Sequence, residues 1–127
     1  MLPKFLLDSD IFAEQRRSMA VSPNILPLLL ELKRELNKLY SDHLAGTILF
    51  GSHARGDENP DSDVDVVILL SGMSVSPFTE IDRMGNIVRH LNDKYAQLII
   101  PMPMDKAYFE QHNFPILKSI KKEGIWV

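Results

Sequence analysis

Between positions 24 and 40, the apolar residues lie at the spacing of one face of a helix. They recur at alternating steps of four and three residues: Ile25, Leu29, Leu32, Leu36 and Leu39. This period is typical of an amphipathic helix. We expect Asn24 to cap the helix and Tyr40 to lie near its end. Pro27 should lie in the first turn, where an N–H group would have no acceptor within the helix, so its absence costs nothing.

Three short runs of apolar and β-branched residues predict strands. The first run covers 47–50 and is stopped by Gly51. The second covers 63–70. It begins with acidic residues and is otherwise wholly apolar, which is typical of a strand in the interior of a sheet. The third covers 96–100 and is closed by the sequence Pro101-Met102-Pro103, because proline cannot donate to a strand ladder.

Helical patterns return in the second half of the chain. The pair Ser76-Pro77 predicts the start of a helix that ends near Asp93. A helical turn is expected around 105–111, and a final helix from about 113 to 123, with Gly124 as its stop. The predicted order of elements is therefore α-β-β-α-β-α-α.

This order predicts one small α/β (α+β) domain, with a mixed sheet of three or four strands flanked by helices. We assign residues 23–127 to this domain. Residues 1–22 show no sustained periodicity, and we expect an arm or a short helix there. A chain of 127 residues has the size of one domain and can bury a core without disulfides.

Composition and charge exclude several classes of protein. The chain has no cysteine, which excludes disulfide scaffolds, thiolate zinc sites and cysteine nucleophiles. Its 14 basic and 17 acidic residues give a net charge of −3 without a lysine-rich run, so we expect no dedicated binding of nucleic acid. The longest apolar stretch, Val64 to Leu70, is far shorter than the roughly 20 residues of a membrane span. We find no signal-peptide pattern, and we expect a cytoplasmic protein that does not cross a membrane.

Two aspartates predict a metal site. Asp63 and Asp65 are two residues apart on a predicted strand, which puts both carboxylates on one face, roughly 6 to 7 Å apart at the backbone. At about 6 Å and an effective dielectric of about 20, their charges repel by about 3 kcal/mol. The pair should therefore face open water, raise the pKa of one carboxyl, or hold a cation. A divalent ion relieves the repulsion at the lowest cost, and we expect Mg²⁺ first and Mn²⁺ second. The four histidines show no metal-ligand spacing and are interpreted as ordinary surface or structural residues: His43, His53, His90 and His112.

A second group of residues in the same segment is suited to bind phosphate. Gly51 and Ser52 follow a strand end, where glycine lets a ligand approach backbone N–H groups and serine adds a hydroxyl donor. Arg55 is the one cation in the window 55–65, which also holds five acids, so it is either a phosphate ligand or a solvated counter-charge. Together with the aspartates, this group predicts a metal–triphosphate site. The alternative is a loop of solvated acids.

These residues resemble the signature of the DNA polymerase β nucleotidyltransferase superfamily, and in detail that of its minimal nucleotidyltransferases. The positions that fit are Gly51, Ser52, Ala54, Arg55, Gly56, Asp57, Pro60, Ser62, Asp63 and Asp65. The resemblance implies the polymerase β-like fold and a metal-dependent transfer of a nucleoside monophosphate, such as AMP from ATP, to a hydroxyl. It also implies that Asp63 and Asp65 bind the metal and serve in catalysis, while Gly51 and Ser52 hold the β- and γ-phosphates.

One departure from the family pattern concerns a third carboxylate. Members of the family usually carry it near the start of a following strand, where it helps to deprotonate the attacking hydroxyl. Gln97 is the expected occupant of this position, and an amide cannot act as a base. Asp93 and Asp105 are the alternative sources of a carboxylate.

The resemblance further implies a protein partner. Minimal nucleotidyltransferases often pair with a HEPN-domain protein, and in several such pairs they act as the antitoxin by adenylylating a tyrosine of the HEPN toxin. Two alternatives stay open, namely a module that neutralises its partner by binding alone and a transferase for a small molecule such as an aminoglycoside. The sequence does not decide between a monomer and a homo-oligomer.

Overall fold

A computed structural model describes residues 21–127, so almost all of the predicted arm at 1–22 lies outside the described part of the chain. The helices in this part are α1 (Leu26–Tyr40), α2 (Ser52–Arg55), α3 (Pro77–Arg83), α4 (Gly85–Tyr95), α5 (Lys106–Gln111) and α6 (Pro115–Glu123). The strands are β1 (Leu44–Phe50), β2 (Val64–Leu70), β3 (Ile99–Asp105) and β4 (Ile125–Trp126), and a 3₁₀ turn, Ser41–His43, joins α1 to β1. Within residues 21–127, no helix combines the length and apolarity that a membrane crossing requires.

The strands form one mixed sheet in the order β3-β2-β1-β4. β1 pairs antiparallel with β2 and with β4, whereas β2 and β3 run parallel. The predicted α/β fold with a mixed sheet is confirmed, and the sheet has four strands. β2 is an interior strand whose residues are all buried except the half-buried Asp65, as its apolar run predicts.

β2 separates two hydrophobic clusters. On one face, Val66 packs with residues of α1 and α4, among which Leu28 and Leu91 are fully buried. On the other face, Val67 packs with residues of α5 and α6. Since side chains alternate along a strand, Asp65 shares the face of Val67. Asp65 therefore lies at the end of the smaller cluster and not in the main core.

Strand β3 differs from the prediction. The sequence predicts this strand over 96–100 with Pro101 and Pro103 beyond its end, but the strand begins at Ile99 and runs through both prolines to Asp105. The reason is its position at the edge of the sheet. Half of the N–H groups of an edge strand have no partner strand, so prolines are tolerated there.

The helices also depart from the predicted order. The single helix predicted over 77–93 is two helices, because the buried Met84 takes a bridge conformation (φ −92°, ψ 2°) between α3 and α4. At α1, Ile25 occupies the cap position predicted for Asn24, whose N–H donates to the Ser22 hydroxyl at 3.3 Å. The short elements α2 and β4 have no counterpart in the prediction.

Two glycines leave room for close packing at the end of the chain. Gly46 lies in β1, which begins three residues earlier than predicted, and a Cβ on it would lie 2.3 Å from the ring of Trp126. Gly124 ends α6 as predicted, but with an ordinary φ of −65°. A Cβ there would lie 2.5 Å from the Ile120 carbonyl oxygen. Glycine is therefore required at both positions because a side chain would not fit, and not because the backbone is left-handed.

Replacing Gly46 with alanine is expected to destabilise the protein by about 1–3 kcal/mol, because the added methyl group must displace the Trp126 ring. Urea unfolding measures this loss as a lower midpoint. Gly85→Ala is the matched control, since a Cβ there meets only the flexible end of Arg89, at 3.2 Å, and should leave the midpoint unchanged or slightly raised. Equal midpoints for the two variants would contradict the packing of β4 on β1.

Candidate functional site

Two glycines shape the turn that follows β1. Gly51 has a φ of +79°, a conformation that favours glycine, and it redirects the chain from β1 into α2. Its carbonyl oxygen accepts hydrogen bonds from the N–H groups of Ala54 and Arg55, each at 3.1 Å. Gly56, with a φ of +80°, ends α2. The first N–H groups of a helix lack acceptors within it, so those at the Ser52 end of α2 are candidate donors to a ligand.

The register between β1 and β2 brings Gly51 next to Asp65. Phe50, the last residue of β1, pairs with Asp65 of β2. Gly51 follows directly, and a Cβ built on it would lie 2.5 Å from Oδ2 of Asp65. The carboxylate of Asp65 therefore reaches the backbone of the turn that begins α2. The structure brings together the predicted phosphate-binding turn and one of the two predicted metal-binding carboxylates.

Asp63 and Asp65 differ in their surroundings. Asp65 is half-buried on β2, whereas Asp63 is exposed and lies one residue before the strand begins. Burial raises the pKa of the Asp65 carboxyl, and the charge of Asp63 raises this pKa further, while His53 and Arg55 act in the opposite direction. Ionisation of Asp65 is therefore less favourable in the protein than in water.

Arg55 lies between two carboxylates. Its Nε is 3.2 Å from Oδ2 of Asp57, and its Nη1 is 3.9 Å from Oε2 of Glu123 at the end of α6. The sequence pattern did not indicate Glu123, because it lies far from the motif along the chain. Arg55 also influences Asp65 electrostatically, which places it beside the site. Its role as a phosphate ligand stays a prediction.

His53 is a buried residue of the site that the sequence did not single out. It is 7% exposed, and its Nε2 lies 3.3 Å from the carbonyl oxygen of Ser62. From its spacing alone, His53 was expected to be an ordinary surface or structural residue. Its position within the motif, between Ser52 and Ala54, was the sequence signal that could have marked it.

Comparison with known proteins decides the family. The family described as "Nucleotidyltransferase domain" matches residues 29–127. The chain belongs to this family. The nucleotidyltransferase is also similar to a protein of Methanocaldococcus jannaschii named "Putative protein adenylyltransferase MJ0141". The two are 37% identical over 83 residues, which cover 65% of this chain and 82% of that protein.

Solved structures share the fold of this nucleotidyltransferase. A crystal structure of a "putative nucleotidyltransferase" from Sulfolobus solfataricus superposes with a TM-score of 0.60 at 17% identity and covers 90% of this chain and 85% of its own. A crystal structure described as "the toxin-antitoxin with AMP-PNP" superposes with a TM-score of 0.54 at 14% identity, over 79% of this chain and 69% of its own. At these identities the likeness establishes the fold.

In the nucleotidyltransferase, Gln97, the expected occupant of the third-carboxylate position, lies two residues before β3 begins. In the parallel pairing of β2 with β3, Ile100 lies beside Asp65, and the strand begins only after Gln97. Asp105 pairs with the last residue of β2, at the other end of the strand, and its carboxylate caps α5. Asp93 belongs to α4. Among residues 21–127, no three histidine, aspartate or glutamate side chains are placed to hold a metal ion together.

The two aspartates of the nucleotidyltransferase fit one small divalent cation. Burial and then the negative charge of Asp63 raise the pKa of Asp65, and a bound cation would oppose both effects by stabilising the ionised carboxylate. Mg²⁺ is usually held by one or two carboxylates, with substrate phosphates supplying further ligands. Asp63 and Asp65 are therefore the residues that would hold such a cation, and their role as its ligands stays a prediction.

Asp65→Asn is expected to stabilise the cation-free nucleotidyltransferase at pH 7. The folded-state pKa of Asp65 is raised, so the wild type loses stability as pH rises from the ordinary value of 3.8 through the raised value. The melting temperature of the variant should therefore exceed that of the wild type at pH 7, and the difference should disappear below that window.

Asp42→Asn, which alters an exposed carboxylate in the 3₁₀ turn, is the matched control and should leave the melting temperature unchanged. A lower melting temperature for Asp65→Asn than for the wild type at pH 7 would contradict this account of Asp65.

Proposed function

We propose that this nucleotidyltransferase moves AMP from ATP to a tyrosine hydroxyl of a partner protein in a Mg²⁺-dependent reaction, and so acts in the cytoplasm as the antitoxin of a HEPN-domain toxin. The name of the M. jannaschii relative supports adenylyl transfer to a protein. The fold shared with a toxin–antitoxin structure that contains AMP-PNP supports the antitoxin role. The HEPN partner rests on the resemblance of the motif to minimal nucleotidyltransferases.

The proposal depends above all on the close approach of Gly51 to Asp65. A carboxylate within contact distance of the turn's backbone lets a single ligand meet both groups. The N–H of Ser52 and its hydroxyl are donors for the oxygens of a triphosphate. Glycine at position 51 keeps this space free of a side chain.

In the proposed reaction, Asp63 and Asp65 hold the cation, and the Gly51–Ser52 turn holds the β- and γ-phosphates. Mg²⁺ bound there would supply positive charge to neutralise the phosphate oxygens and the negative charge of the leaving group. The acceptor oxygen forms a bond to the α-phosphorus, and the bond from this phosphorus to the bridging oxygen breaks. Pyrophosphate leaves with the electron pair of that bond.

The surroundings of Asp65 support a phenolic acceptor. Ile100 lies beside Asp65, so the neighbouring strand offers no carboxylate at this point to take the proton of an attacking hydroxyl. A tyrosine hydroxyl has a pKa of about 10 and releases its proton far more readily than an aliphatic hydroxyl. In this scheme the proton passes to solvent, and a tyrosine reacts where a serine would not.

The proposal predicts that Asp63→Asn and Asp65→Asn each lower transfer of radiolabel from α-labelled ATP to the partner by about 100-fold or more, because each removes a charge that holds the cation. The assay uses a purified HEPN-domain protein as the acceptor, together with its Tyr→Phe variants. Asp61→Asn is the matched control, since Asp61 is an exposed carboxylate of the same loop, and it should retain transfer.

The binding-only module is the second candidate function, and the apolar Ile100 beside Asp65 favours it. Under this alternative, the wild type transfers no label, and Asp63→Asn and Asp65→Asn still neutralise the partner. That combination of results would overturn the enzymatic proposal. Transfer of label to a small molecule but not to the partner would overturn the choice of acceptor.

A further inference from the structure

His53 connects the two halves of the site. It belongs to α2, directly after Ser52, while its imidazole Nε2 lies 3.3 Å from the carbonyl oxygen of Ser62, the residue before Asp63. The side chain is 7% exposed. A carbonyl oxygen only accepts hydrogen bonds, so Nε2 carries the proton and donates it. His53 is therefore a buried hydrogen-bond donor from the phosphate side of the site to its carboxylate side.

The segment to which His53 donates is a tight turn with its own hydrogen bonds. The Asn59 N–H donates to the Ser62 hydroxyl at 3.0 Å, and the Ser62 N–H donates to the Asn59 carbonyl at 3.0 Å. The Asp61 N–H donates to the Asn59 side chain at 2.8 Å. Because these bonds close within 59–62, they hold the shape of the turn and leave its position relative to α2 to other contacts.

Asp63 and Asp65 are positioned by different means. The pairing of β2 with Phe50 fixes Asp65 in the sheet. Asp63 precedes the strand and lies between the turn at 59–62 and Val64, whose N–H donates to the Leu98 carbonyl oxygen at 2.8 Å. The hydrogen bond from His53 to this turn is thus suited to hold the N-terminal side of Asp63 at a set distance from Ser52.

Buried polar atoms without hydrogen-bond partners in the segment from His53 to Glu58 indicate that this segment is not arranged for stability alone. Within residues 21–127, the buried side-chain atoms without a hydrogen-bond partner are Nδ1 of His53 and Oε2 of Glu58. Such atoms cost free energy, and they concentrate where function constrains a structure. An apolar residue at position 53 would avoid this cost for its own side chain but would leave the Ser62 carbonyl without its donor.

We propose that His53 is a positioning residue, whose N–H fixes the turn at 59–62 on α2 and thereby holds Asp63 where the cation of the bound nucleotide requires it. The inference rests on the proposed function for its ligand, but the attachment of the turn to α2 can be measured without any ligand. A side chain that donates a hydrogen bond from the same position should serve in place of histidine.

The test compares His53→Gln, whose amide N–H can reach the Ser62 carbonyl, with His53→Leu, which has no donor. Loss of one hydrogen bond should weaken binding of a non-hydrolysable ATP analogue in the presence of Mg²⁺ by about three- to tenfold in His53→Leu. His53→Gln should stay within about twofold of the wild type, and so should His90→Leu, which alters an exposed histidine of α4. Calorimetry gives these affinities.

Amide hydrogen exchange provides the readout that needs no nucleotide. Amides of residues 57–63 should exchange faster in His53→Leu than in the wild type, and those of His53→Gln should match the wild type. Equal exchange in all three proteins, or equal acceleration in both variants, overturns the positioning role. If His53→Leu does not fold, His53→Asn, whose amide is too short to reach Ser62, takes its place in both measurements. If the wild type binds no nucleotide, the proposed function fails while exchange still decides the role of His53.

Discussion

The antiparallel register of β1 and β2 is the constraint on which the site depends. It sets Phe50 opposite Asp65, so the next residue, Gly51, meets the carboxylate within contact distance. Any side chain at position 51 would occupy this space. A shift of one residue in the pairing would turn Asp65 to the other face of the sheet, because side chains alternate along a strand. The apolar residues of β2 are buried on both faces of the sheet and hold this register. Packing of the core therefore fixes the position of Asp65 relative to Gly51.

This arrangement leaves charge at the end of the sheet that the fold itself does not balance. Asp65 is half-buried, and Asp63 lies two residues away, so the pKa of Asp65 is raised. Arg55 is within electrostatic reach, but the carboxylates of Asp57 and Glu123 engage it. Such an imbalance is consistent with the proposed cation site, because a ligand that binds only the folded protein stabilises it.

The sequence predicted the features that depend on local pattern. The acidic start and apolar remainder of 63–70 predicted an interior strand with carboxylates at its N-terminal end. The structure adds what depends on pairing between distant segments. Ile100 lies beside Asp65 because of the register between β2 and β3. The sequence did not predict this register, because β3 continues through two prolines that were expected to end it. The contact of His53 with Ser62 likewise depends on a turn whose position no periodicity encodes. Local signals thus identified the candidate residues, and tertiary pairing determines which other residues lie beside them.

Paramagnetic broadening by Mn²⁺ tests most directly whether the carboxylates and the glycine–serine turn share one ligand. Substoichiometric Mn²⁺ is added to the isotopically labelled protein with a non-hydrolysable ATP analogue, and the amide signals are followed by NMR. We predict that the signals of Gly51 and Ser52 broaden first and that the signal of Leu70, at the far end of β2, stays sharp. In the double variant that carries Asp63→Asn and Asp65→Asn, the broadening should disappear. Broadening that leaves Gly51 and Ser52 unaffected, or that persists in the variant without the two carboxylates, would contradict a single site shared by the carboxylates and the turn.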